Sequence, residues 1–240
     1  MPITSPHNDK LKTLRKLRQR RRERDRLGQF VAEGEDLLAA ADAAGWAPVE
    51  RFAVSGSGLP GTEVDPAALQ SVSELASGTR TLAIYNERWE AAPFGDLTVY
   101  LHGVSDPGNV GTVLRSAAAF GASCVALGPG SADPFGPKAV RASMGAVFTV
   151  PVAHATPKVL PGTTIALDAR AQRPLSAVAA DLVPQAEISV LIGAEREGLP
   201  EDVVAAADHV ARIPIATESL NAAIAASVAL YELSRRISAA

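Results

Sequence analysis

The chain has 240 residues, enough for one large α/β domain or a small domain beside a medium one, and 47% hydrophobic content can fill a real core. No apolar run approaches the ~20 residues that cross a bilayer, and the polar, basic N-terminus is not expected to be a secretory leader. The net charge of −3 hides an asymmetry: residues 1–26 hold ten Lys/Arg against three acids, a net of +7, while the remainder carries thirteen basic and 23 acidic residues, a net of −10.

In chain order, Ser5-Pro6 reads as a helix start, with Ser as N-cap and Pro at the first helical position. Leu11, Leu14 and Leu17 then recur every three residues, a narrow apolar stripe on a charged helix running to about Arg26 and closed by Gly28. A basic segment on an acidic body points to a polyanion: ten cations in seventeen positions repel one another unless nucleic acid relieves them. The plainer alternative is a solvated helix face. Lys12, Arg15, Arg20, Arg21, Arg22 and Arg24 are the candidate nucleic-acid contacts.

Residues 29–34 read as a strand, 34–45 as a helix, 48–55 as a strand, 65–77 as a helix and 81–85 as a strand. Together they make a small α/β domain over 1–90. The aperiodic stretch 86–96, with Pro and Gly, reads as a linker to a second domain over 97–240. There, strands are expected near 97–104, 123–128, 163–168, 187–193 and 209–215, and helices near 110–120, 136–146, 200–207 and 219–237. Continuous apolar strands such as SCVAL and ISVLIG, each followed by a helix, indicate a parallel sheet covered on both faces. Such sheets bind ligands at the carboxyl ends of their strands, where three Gly- or Pro-rich loops fall: 103–111, 193–200 and 213–221.

Common site patterns are absent. There is no G-x-G-x-x-G, and although Gly103 and Gly108 have P-loop spacing, Asn109-Val110 follows where Lys-Ser/Thr is needed. His7, His102, His154 and His209 are scattered, so no metal site is expected; His102 and His209 read as hydrogen-bonded residues at strand ends. There is no nucleophile elbow. Cys124 is the sole cysteine, which excludes an internal disulfide and fits a reducing cytoplasm.

What remains, DPGNVGTVLRSAAAFGA, IGAEREGLP (192–200) and RIPIATESLNAAIAASVALYE (212–232), resembles the three ordered motifs of the SpoU (TrmH-like) RNA ribose 2′-O-methyltransferases of the SPOUT superfamily. SPHNDKLKTLRKLRQRRRERDRLGQFVAEG resembles that family's L30e-like substrate-binding domain through Ser5, Asn8, Lys12, Arg24, Gly28, Phe30, Glu33 and Gly34. The resemblance implies an α/β chain whose C-terminal parallel-sheet domain is tied in a trefoil knot, a rare exception to the rule that chains do not thread loops. It implies S-adenosylmethionine as cofactor, held largely by backbone groups, with Gly193, Ile213, Leu220, Gly198 and Leu191 around it. It implies catalytic roles for Asn109, Arg115, Glu195, Ser219 and Asn221, with Asn109 and Arg115 both facing the mouth of the crevice. A guanidinium is a poor base because its pKa lies above ~12, so Arg115 is expected to position phosphate and stabilise a developing alkoxide. Lys138, Arg141 and Ser143 match a looser segment, in which Arg141 would meet RNA phosphate. The family often has Ser where this chain has Ala223, which weakens any hydroxyl-based role there.

No metal or membrane is implied, and related enzymes are homodimers. The expected substrate is structured RNA, first 23S rRNA and second tRNA, with rRNA modification for housekeeping or for antibiotic self-protection left open. The rival from another class is a non-catalytic RNA-binding protein of the same fold, which predicts damaged motifs. A nicotinamide-dependent enzyme would need the missing glycine fingerprint.

Overall fold

The computed structural model describes residues 1–74, 78–183 and 185–237. The charged N-terminal helix is two helices, α1 (Asp9–Gln19) and α2 (Arg21–Leu27), not the single one expected. It starts later, because Asn8, not Ser5, caps α1 by accepting from Lys10 N at 3.0 Å. Arg20 breaks it with extended backbone (φ −130°, ψ 109°), and Gly28 closes α2 at φ 60°, a left-handed turn that glycine adopts without strain. Leu11, Leu14 and Leu17 are fully buried, as the stripe predicts.

The first unit continues through β1 (Gln29–Glu33), α3 (Glu35–Ala43), β2 (Glu50–Val54), β3 (Thr62–Val64), α4 (Pro66–Gln70) and β4 (Thr81–Asn86). Its sheet has the order β1-β4-β2-β3, with β4 antiparallel to both neighbours and β2 parallel to β3. Three-residue β3 is too short to carry a periodic signal. Of the helix expected over 65–77, α4 accounts for the first part, and 75–77 lie outside the described residues.

The second unit runs β5 (Leu97–Leu101), α5 (Pro107–Ala119), β6 (Cys124–Leu127), α6 (Pro137–Ala142), β7 (Val152–His154), β8 (Thr163–Leu167), α7 (Leu175–Asp181), β9 (Ile188–Ile192), α8 (Glu201–Ala206), β10 (His209–Ala211) and α9 (Ala222–Ile237). Every pairing in its six-stranded sheet is parallel, in the order β10-β8-β9-β5-β6-β7. The short β7 and α7 lie outside the expected set. β5, β6 and β9 are buried at every position, the run of apolar residues that a sheet covered on both faces demands.

The two sheets share one aromatic core. Phe30, Trp46 and Tyr85 of the first unit interlock with Phe135 and Phe148 of the second, with ring centroids 4.8 Å apart for Phe30–Phe135 and 5.2 Å for Trp46–Phe148. Trp46 Nε1 donates to Phe148 O at 2.8 Å, so the buried indole N–H is satisfied. The stretch 86–96 takes part in this packing: Trp89 meets the edge of Phe135 at 5.2 Å and stacks on His154 at 4.0 Å. Among the described residues no helix is long and apolar enough to cross a membrane.

Candidate active site

The three loops converge at the carboxyl ends of β5, β9 and β10. Asp106 caps α5, its Oδ1 accepting from Gly108 N at 2.6 Å and Asn109 N at 3.2 Å, while Oδ2 takes an ion pair from Lys138 Nζ at 2.8 Å. The ammonium of Lys138 and those backbone donors hold the Asp106 carboxyl below its ordinary value. This fixes the first turn of α5 and with it Asn109, whose Nδ2 donates to Glu195 Oε1. Asn109 Oδ1 accepts from Asn221 Nδ2 at 3.1 Å. Asn221 in turn caps α9, accepting from Ala223 N at 2.9 Å and Ile224 N at 3.2 Å. Neither Thr217 nor Ser219 caps this helix. Asn109, Glu195 and Asn221, one from each motif, thus form a single hydrogen-bonded chain.

Beside that chain lies an open cleft. Ile192, Ile213, Ile215, Leu220, Ala222 and Ala225 give it apolar walls, and Gly193, Glu195, Gly198 and Ser219 line it as well. Residues 194–198 fold back on themselves, with Ala194 N donating to Gly198 O at 3.2 Å and Gly198 N to Ala194 O at 2.9 Å. A Cβ at Gly193 would sit 2.1 Å from Gly198 C, so only glycine permits this chain crossing.

Sequence reasoning placed Leu191 at this cleft, and the structure does not. Leu191 belongs to a separate apolar cluster with Tyr100, Ala126, Leu199 and Val203, while its neighbour Ile192 lines the cleft. Successive strand residues face opposite sides, and a strand buried on both carries no polar alternation to tell them apart. The cleft also includes Leu167, Asp168 and Ala169 at the carboxyl end of β8, a fourth loop that sequence reasoning missed. Asp168 accepts from Arg170 Nε at 3.1 Å and Nη2 at 2.9 Å, and the guanidinium lowers its pKa. Its signal was available: a polar residue directly after an apolar strand of a parallel sheet.

Arg115 is separated from Asn109. Six residues at about 3.6 per turn leave the two side chains roughly 120° apart on the helix, so they cannot share a face. Arg115 lines a shallow depression formed by Ala40, Ala43 and Ala44 of the first unit and by 143–149, including exposed Met144. It is exposed and makes no hydrogen bond or ion pair among the described residues. Helix α5 packs closely on α6 at Gly111, where a Cβ would lie 2.3 Å from Ala139 O, and on α9 near its end, where Ala117 is fully buried and Ser116 Oγ lies 2.7 Å from Ser227 Oγ, while Ala118 and Ala119 are exposed.

The basic segment divides as well. Arg24, expected at RNA, is 6% exposed; its Nη2 pairs with Asp133 Oδ2 at 2.7 Å and its Nη1 donates to Leu17 O at 2.8 Å. It joins the two units and cannot reach a ligand. Lys12 is exposed but paired with Asp9 at 2.8 Å, Arg15 makes only 3.4 Å contacts to Pro6 O and Ser71 Oγ, and Arg141 lies 3.5 Å from Glu74. Arg21 has a 3.9 Å contact to Asp25. The exposed side chains of Arg20 and Arg22 make no hydrogen bond or ion pair among the described residues, and Arg20 acts only through its charge on Glu23. His102 shares a 3.0 Å hydrogen bond with Tyr100 Oη, whose pKa burial pushes up to about 12. No group of three His, Cys, Asp or Glu among the described residues is placed to hold a metal.

Residues 96–231 match the SpoU rRNA Methylase family, and residues 8–83 match the MRM3-like substrate binding domain. The sequence is 27% identical to the 23S rRNA (guanosine(2553)-2′-O)-methyltransferase RlmP of Bacillus subtilis, over 96% of this chain and 98% of that one. It is 31% identical to an uncharacterized tRNA/rRNA methyltransferase of Synechocystis, over 98% of this chain and 93% of the relative. The AdoMet-bound rRNA methyltransferase from Sinorhizobium meliloti superposes with a TM-score of 0.85 at 30% identity, covering 98% and 97% of the two chains. The SpoU methyltransferase AviRb from Streptomyces viridochromogenes, in complex with AdoMet, superposes with a TM-score of 0.83 at 25% identity, covering 95% and 98%. With a matching family model over more than half its length and the three motif loops gathered at one end of a parallel sheet, the chain belongs to the SpoU rRNA methylase family.

Proposed function

We propose that this protein is an S-adenosylmethionine-dependent RNA methyltransferase that modifies a ribose 2′-hydroxyl of 23S rRNA. The observation that carries this reading is the hydrogen-bonded chain Asn221–Asn109–Glu195 beside the apolar cleft, because it draws one residue from each motif to a single place. Damaged motifs, which a non-catalytic RNA-binding protein predicts, are not what this chain carries.

The cleft fits the cofactor by its donor set. Ile192, Ile213, Ile215 and Leu220 offer an apolar slot for an adenine ring, and Asp168, Glu195 and Ser219 offer acceptors at its rim. Gly193 lets the backbone pack closely on Gly198, and Gly198, at φ 69°, presents backbone with no side chain there. The path by which 213–221 returns past 193–199 is read as the trefoil knot of the family. When bound, the cofactor supplies an activated methyl group, so the protein's task is to align the 2′-oxygen and exclude water. Asn109, held from both sides, is fixed at the cleft mouth, where its amide orients the ribose. Arg115 clamps the adjacent phosphate and stabilises charge growing on the 2′-oxygen.

Since Arg115 faces away from its own chain's cleft, the site is completed by a second copy, whose Arg115 enters this cleft. The exposed apolar side chains Ile224, Val228 and Tyr231, spaced four and three apart on α9, form the face for that dimer. A reducing cytoplasm suits buried Cys124, whose pKa burial pushes up to about 11 and whose reactivity is correspondingly low.

The test is to incubate the protein with tritiated S-adenosylmethionine and unmodified 23S rRNA, then map label by primer extension at low nucleotide concentration. A single stop beside one ribose is expected, and its place relative to drug-binding regions separates housekeeping from self-protection. Label in tRNA alone would redirect the substrate assignment, and absence of cofactor binding by calorimetry would overturn the enzyme.

A further inference from the structure

A second concave surface lies on the other side of β5 from the cleft, at the carboxyl ends of β6 and β7. It is lined by Leu127, the turn Gly128-Pro129-Gly130-Ser131, His154 and, from the basic helix α2, Arg21. Three features of it are open to a ligand. The imidazole of His154 is exposed yet held in a fixed plane, stacked on Trp89 at 4.0 Å and 19°, and Trp89 is itself locked by Phe135 and by a 2.9 Å bond from its Nε1 to Glu87 Oε2. The Arg21 side chain is 57% exposed, with only the 3.9 Å contact to Asp25. The turn between them exposes Pro129 and Gly130, with Gly130 at φ 74° and no side chain to fill the groove.

A rigid aromatic face, an exposed and only loosely paired guanidinium and a glycine-rich turn are the parts of a nucleotide subsite: the ring stacks a base and the cation takes the phosphate. Asp133 also lines the groove, but its charge is met by buried Arg24, so it does not repel a polyanion there. The turn is tied to the segment that follows β5, because Gly103 N donates to Pro129 O at 2.9 Å and Ala132 N to Val104 O at 2.9 Å. The wall that shapes the groove is therefore bonded to the segment that leads into Asn109. We infer that this groove binds an unpaired nucleotide of the RNA substrate flanking the target ribose, its base stacked on His154 and its phosphate on Arg21.

This inference rests on the RNA-methyltransferase reading, and its test is chosen to fail separately from it. Filter binding of unmodified 23S rRNA transcript, without cofactor, reads the groove independently of methyl transfer. His154→Ala and Arg21→Glu are each expected to weaken binding about tenfold, the size of one lost base stack or phosphate contact. Arg21→Glu should also reduce the salt slope by about one. His154→Phe, which keeps a ring on Trp89, should bind like the parent, while S-adenosylmethionine affinity stays constant in all three. Unchanged RNA affinity in the Ala and Glu variants overturns the inference, as does failure of the Phe variant to restore binding. If the parent binds rRNA through this groove but transfers no methyl group, the groove stands and the enzymatic reading falls.

Discussion

Arg24 and Arg115 were both expected to meet RNA, and the structure treats them in opposite ways. In the joint between the two units, Arg24 is buried, paired with Asp133 and bonded to Leu17 O, and so is closed off from a ligand. On the outer face of α5, Arg115 is exposed and has no partner among the described residues. The same side chain serves as internal strut in one region and as available donor in the other. Burial and partners, not residue type or motif position, decide which.

The largest expected effect follows from the free arginine. Arg115→Ala should lower methyl transfer by about a hundredfold or more, the scale of losing a donor to developing charge, with melting temperature and cofactor affinity unchanged. Gly193→Ala should abolish cofactor binding, since its Cβ would lie 2.1 Å from Gly198 C. Mixing the two inactive variants should restore roughly a quarter of the parent activity if each site combines one copy's cleft with the other's Arg115. No restoration after subunit exchange would mean that Arg115 serves its own chain's cleft.

The buried arginine gives the second effect, on stability. Arg24→Ala strands Asp133 in the joint and should cost about 3–5 kcal/mol. Arg22→Ala, on the exposed surface of the same helix, should change stability by less than about 0.5 kcal/mol while weakening rRNA binding and its salt dependence. Chemical denaturation and filter binding of the pair sharpen the contrast; equal stability losses would erase it.

The smallest effect concerns Asp106, which lies between the two regions through Lys138. Its folded pKa is lowered below the ordinary 3.8, chiefly by the hydrogen bond from Lys138. A lowered carboxylate contributes stability that is fully present above its unfolded pKa and lost as pH falls through the folded one. Melting temperature should therefore drop below about pH 4, and Asp106→Asn, which keeps the helix cap, should flatten part of that decline. An identical acid slope in the variant would show that the pair adds nothing measurable, as exposed pairs often do.

Much of this protein was legible in its sequence. The apolar runs of β5, β6 and β9 announced a parallel sheet covered on both faces, and the Leu11-Leu14-Leu17 stripe announced the buried face of α1. These are local patterns, set by the periods of helix and strand. The convergence of Asn109, Glu195 and Asn221 was expected only through the resemblance of the three motifs to the SpoU family.

Tertiary structure alone decided the rest. The burial of Arg24 and the shared aromatic core depend on where the second unit docks, through contacts between residues more than a hundred positions apart. The choice of Ile192 over Leu191 at the cleft depends on which face of a doubly buried strand meets α9 and which meets α8, and an all-apolar run does not encode that. Chain-local periodicity fixes what each element is; long-range packing fixes which of its faces is left for a ligand.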